Sequence, residues 1–188
     1  MRNSKFQKFF FILLAVFLFS SFAEAKSKQE KETKESKKPE VPKFLVILNK
    51  GHNAYIIKDF KKALEAYKEA SLENPKSPIA HYFSGCASRA LGNYDDAIDS
   101  FKTAYLMAGS DIWWKGISSF NIATTYELAG KRENALNAWK DFKMFAEQNE
   151  IFKKYIKTAE ERISAIEKYM QLDKSYEIVR KRISKGTE

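Results

Sequence analysis

Hydrophobic and polar positions change rhythm several times along the chain. Apolar side chains run unbroken through the eleven positions 9–19, behind Arg2, Lys5 and Lys8 and ahead of Ala23, Glu24 and Ala25. A basic start, a short apolar run and an Ala-x-Ala close predict a secretory signal peptide over 1–25, cleaved after Ala25, with an uncleaved anchor as the alternative. Crossing a bilayer takes roughly 20 apolar residues, so the run is short for an anchor. Lys and Glu then alternate with Ser, Thr and Gln through 26–43, a stretch closed by Pro39 and Pro42 that holds almost nothing apolar. It cannot bury enough surface to offset chain entropy and reads as a disordered tether. Beyond it no two-residue alternation is sustained and no proline follows Pro78, so the remainder is predicted to be helical.

Within that remainder the chain resembles itself. Gly51 and Gly85, Phe60 and Tyr94, Ala63 and Ala97, Leu64 and Ile98, Tyr67 and Phe101, and Ala70 and Ala104 are each 34 residues apart. Matched residue types at one offset define a repeat. The small members let two helices approach closely, and the aromatic and aliphatic members fill the space between them. Asp59, Ser77 and Asn93 stand where N-caps belong, Pro78 suits a first helical turn, and Gly92 and Gly130 permit the left-handed backbone that ends a helix. Because one such unit cannot hide its own apolar face, the last copy needs a cap. Phe152, Ile156, Ala159, Ile163, Ile166 and Met170 recur at spacings of 4, 3, 4, 3 and 4, which predicts a one-sided helix over 150–171. That stripe serves as the cap or, alternatively, as a short coiled-coil seam. A second, shorter helix is expected over 173–185, with Tyr176, Val179 and Ile183 opposite Arg180, Lys181 and Arg182.

The period and these residues resemble the tetratricopeptide repeat (TPR), a helix-turn-helix unit with a small residue in its first helix and Ala, aromatic, Ala in its second. The copies span about 44–77, 78–111 and 116–149. The third carries Ala123, Tyr126, Gly130, Ala135 and Trp139 but is shifted by four residues, and it has Arg132 for the turn aromatic and Phe142 for the last small residue. The resemblance implies an all-α, right-handed α-solenoid of about three TPR hairpins over 44–149, with capping helices over 150–188. It also implies a concave groove lined by the first helices, which binds a protein or peptide. Matching positions place Leu48, His52, Tyr55, Tyr82, Arg89, Phe120, Thr124 and Glu127 there. Trp113 and Trp114 fall in the four-residue insertion, expected as a loop, where Trp113 either binds or packs between repeats. The cochaperone branch grips a carboxylate with basic and amide residues that are replaced here by Leu48, His52, Cys86, Phe120 and Thr124.

Charge narrows the function further. Of the net +9, residues 1–25 hold +2 and 26–43 hold +3, leaving +4 on the folded part, which does not by itself argue for nucleic acid, and no nucleic-acid partner is expected. The tether lysines offer peripheral contact with an anionic membrane or envelope surface. No catalytic or cofactor motif is found, and two histidines with one cysteine are too few for a zinc site without carboxylates. His52 and Cys86 lie 34 apart on neighbouring first helices, yet no third group orients the histidine, so a nucleophile is the lesser reading. The expectation is an exported (periplasmic or secreted) adaptor without enzymatic activity, cofactor or metal. The alternative is an oligomerising helical subunit of an envelope-associated complex that uses its cap and basic tether.

Overall fold

The structure, a computed structural model, describes residues 41–186; the leader and all but the last three residues of the tether lie outside the described residues. The chain divides into two units, Met1–Val41 and Pro42–Glu188, and the second holds every described helix. These are α1 (Lys43–Ile56), α2 (Phe60–Glu73), α3 (Pro78–Ala90), α4 (Tyr94–Met107), α5 (Ile112–Leu128), α6 (Arg132–Gln148), a 3-10 turn (Glu150–Tyr155) and α7 (Ile156–Gly186). No strand is present among the described residues. Each helix packs on its successor, and α3 also reaches α5, as in a solenoid of hairpins.

The repeat residues build the core. Ala63, Tyr67 and Ala70 of α2 and Ala97, Phe101 and Ala104 of α4 are fully buried. The Tyr67 and Phe101 rings lie against Gly51 and Gly85, where an added Cβ would come within 2.5 Å and 2.8 Å of them. The hairpin turns repeat as well. Asp59, Asn93 and Lys131 each donate a backbone N–H to a carbonyl five residues back, those of Ala54, Ser88 and Tyr126. The preceding residue is left-handed each time: Lys58 at φ 63°, Gly92 at 80° and Gly130 at 70°. Glycine adopts that conformation freely, and lysine does not.

Several local expectations change. Asp59 caps α2 by accepting from the Lys62 N–H at 3.2 Å, but Ser77 and Asn93 make no side-chain cap bond. A further cap is Asp111, whose carboxylate accepts from the N–H groups of both Trp113 and Trp114. Those tryptophans therefore sit in the first turn of α5 and not in a loop; the four inserted residues lengthen α5 to 17 residues where α3 has 13. The end of the chain differs too. Phe152 enters on the 3-10 turn, and one unbroken helix follows where two were expected. No proline or glycine interrupts 156–185, and Asp173, at the expected break, pairs with Arg132 of α6. The cap stripe itself is realised: Phe152, Ala159 and Ile166 are buried in one cluster with Ala135, Trp139, Phe142 and Ala146.

Candidate partner-binding face

The first helices of the three hairpins are tied to one another side chain by side chain. On α1 the His52 ring stands edge-on to Phe83 of α3, with centroids 4.4 Å apart, and its Nδ1 lies 2.8 Å from the Tyr67 hydroxyl. Burial lowers the His52 pKa. Tyr55, half-buried, meets Phe60. On α3 the Tyr82 ring contacts Trp114 of α5 at 5.5 Å. Its hydroxyl accepts from Asn121 Nδ2 at 3.1 Å, and its pKa is pushed up to about 12, chiefly by burial. Asn121 is held by a second donation to the Ile117 carbonyl at 2.8 Å. Its Oδ1 accepts from Arg89 Nη1 at 2.6 Å, and Thr124 Oγ1 accepts from the same nitrogen at 3.2 Å. The Arg89 guanidinium also lies over the Phe101 ring, 5.4 Å from its centroid. Among the described residues no carboxylate pairs with Arg89, so its charge is fixed in place and unneutralised. Charge-assisted bonds to carboxylates are the strong interactions such a group makes.

The structure separates the expected groove residues into two sets. His52, Tyr55, Tyr82, Arg89 and Thr124 share the partly exposed face just described. Leu48 does not join them: it is 6% exposed, packed in the core of the first hairpin with Ile47, Ala63 and Tyr67. Phe120 is partly buried against the other cluster, edge-on to Trp139 and Phe142 and tilted against Tyr155. Glu127 is a clamp: its carboxylate accepts from Trp139 Nε1 and from Arg162 Nε (3.0 Å) and Nη2, joining α5, α6 and α7. Trp113 is half exposed, its ring 5.9 Å from Phe152 of the capping turn. Two central residues were not expected on this face: Asn121, and Trp114, which was expected in a loop. An amide amid apolar Ile117, Phe120 and Ile122 was the available signal for Asn121, since such a group must find partners.

The arrangement gives little support to nucleophilic chemistry. Burial raises the Cys86 pKa, with Arg89 opposing, which disfavours the reactive thiolate. Among the described residues no cluster of three or more His, Cys, Asp or Glu is placed to hold a metal ion. A second concavity, about 620 Å³, lies between α4 and α6 over α5, lined by Tyr105, Tyr126, Asn137 and Met144 among others.

No family model matches the chain, and no curated protein matches it. Solved structures do. The Arabidopsis OM64 TPR domain aligns with 66% of this chain and 94% of its own, at 21% identity and a TM-score of 0.53. The Yersinia enterocolitica type III secretion chaperone SycD, in complex with a peptide of the translocator YopD, aligns with 71% of this chain and 99% of its own, at 15% identity and a TM-score of 0.59. The first TPR of Spaghetti (RPAP3), bound to the HSP90 peptide SRMEEVD, aligns with 65% of this chain and 94% of its own, at 15% identity and a TM-score of 0.52. Identities this low bear on the fold alone, and the fold is of the TPR type.

Proposed function

We propose that this chain is an exported, non-enzymatic adaptor whose first helices hold a protein or peptide partner. The observation that carries the reading is Arg89, pinned by Asn121 and Thr124 on a half-exposed aromatic face, with no acid among the described residues paired to it. A fixed, partly desolvated cation beside Tyr55 and Tyr82 suits a partner that offers an acidic side chain flanked by apolar ones. Two TPR-type neighbours are peptide complexes, SycD with YopD and RPAP3 with an HSP90 peptide, which supports the same use of this fold here. Export rests on the basic, apolar and Ala-x-Ala order of residues 1–25. No described helix is long and apolar enough to cross a membrane.

Photo-crosslinkers placed at Tyr55 and at Thr124, with Asn137 on the second concavity as the control, test the location. Capture of one and the same partner from the first two positions and not from Asn137 is expected. For that partner, Arg89→Gln with Tyr82→Ala should weaken binding by about tenfold or more at unchanged helicity. Capture from Asn137 alone, or full affinity in the double variant, overturns the assignment.

A further inference from the structure

Helix α7 carries two apolar faces on different sides of its axis. Along its first half, Ile156, Ala159, Ile163, Ile166 and Met170 join the cluster built on α6. Along its second half, Tyr169, Leu172, Tyr176 and Val179 are 60%, 52%, 62% and 48% exposed. At about 100° per residue these four fall within an arc of about 80°, whose centre lies about 140° around the axis from the first stripe. The second stripe thus faces away from α6, and the repeats that bury the first cannot cover it. Ile183 continues its line. The flanks are basic: Lys168, Arg180 and Arg182 border the stripe, and residues 172–185 hold five bases against two acids. Both acids are engaged, Asp173 with Arg132 and Glu177 with Lys181, while Arg180, Arg182 and Lys185 form no ion pair with the described residues.

We propose that this outward face of α7 docks on an anionic phospholipid surface. Leu172 and Val179 enter the acyl boundary, Tyr169 and Tyr176 sit at its edge with their hydroxyls toward water, and Arg180 and Arg182 reach the head groups. Charge complementarity selects this occupant. In a second copy of the chain, Arg180 and Arg182 would face their own kind across a seam barely two heptads long, which like charges disfavour. A bilayer rich in phosphatidylglycerol offers the opposite charge along the basic second half, 168–185.

The test uses the chain beginning at Lys26, which lacks the apolar leader that would itself enter bilayers and keeps the unit Pro42–Glu188 whole. Co-sedimentation with phosphatidylglycerol vesicles is expected and should weaken in high salt, with little binding to phosphatidylcholine vesicles. Leu172→Asp with Val179→Asp, both at exposed sites, should weaken it by about tenfold or more at unchanged helicity, as should Arg180→Gln with Arg182→Gln. Deleting residues 26–38 should leave most of it. Absence of binding to phosphatidylglycerol vesicles overturns the proposal, and so does full binding in the Leu172/Val179 variant. Loss of binding only on deleting 26–38 assigns the contact to the tether instead. A dimer abolished by the Leu172/Val179 variant, or an acidic protein helix bound in place of vesicles, assigns the face to a protein partner.

Discussion

Gly116 is buried in the interior of α5, and helix propensity alone says that alanine there should stabilise the protein by about 1 kcal/mol. The structure reverses the sign. A Cβ at this position would lie 2.1 Å, 2.2 Å and 2.6 Å from three atoms of the Phe152 ring, where carbon atoms at rest keep about 3.5–4.0 Å apart. The ring must therefore retreat by roughly 1.5 Å. It has nowhere to go: it is 2% exposed, with Phe145, Trp113, Tyr155 and Phe142 around it at centroid distances of 5.6–6.3 Å. Overpacking of this kind costs about 1–3 kcal/mol, and outright expulsion of the ring sets a ceiling of about 3–5 kcal/mol. After the propensity gain of about 1 kcal/mol is subtracted, Gly116→Ala should lose up to about 2 kcal/mol if the ring repacks and about 2–4 kcal/mol if it is expelled, and a net loss of about 2 kcal/mol moves the urea midpoint down by about 1 M. Far-UV circular dichroism in a urea titration reads the shift. The pair should be coupled, so in a Phe152→Ala background the same glycine substitution should cost nothing or stabilise. A Gly116→Ala midpoint at or above that of the parent refutes the reasoning, as does an equal penalty in both backgrounds.

The first hairpin turn holds Lys58 at the left-handed position that Gly92 and Gly130 fill in the other two. Lys58→Gly should raise stability by about 0.5–1 kcal/mol, seen as a higher thermal midpoint, and a fall would show that the lysine is not strained. Burial lowers the His52 pKa in the folded state, so the unfolded chain takes up its proton first and stability should fall as pH drops through the ordinary histidine range. His52→Gln should flatten that part of the curve in denaturation midpoints taken between pH 7.5 and about 5.5; an unchanged slope assigns the effect elsewhere.

What the sequence made visible was whatever the repeat requires of residue type. Gly51 opposite Tyr67 and Gly85 opposite Phe101 are contacts between fixed places in a 34-residue period, so pattern marked the small and aromatic residues and the structure shows which ring meets which glycine. Contacts that occur once were not visible in this way. Gly116 meets Phe152 across 36 positions with no second copy to betray the pairing, and nothing about Lys58 as a residue type marks a left-handed turn. Four extra residues near Trp113 fit a loop or a longer helix equally well by count, and only the cap at Asp111 resolves them into helix. The candidate face was read less sharply, because helical spacing fixes a side chain's direction but not what stands across from it. Leu48 lies on a first helix yet is buried in the core, Phe120 is partly buried against Trp139 and Phe142, and Glu127 meets Arg162 from a helix that the repeat pattern does not include.

The bulk at Phe142 has a consequence for how this array is able to lengthen. The first two hairpins end in Ala70 and Ala104 at the corresponding place, both fully buried. A copied unit set between those two hairpins would therefore meet the same small surfaces on either side. Behind the third hairpin no copy fits, because Phe142, Phe152 and the Glu127–Arg162 pair already occupy the seat a fourth hairpin would need. The molecule is a row with a closed tail, and duplication or engineered extension is confined to the stretch ahead of Asp111.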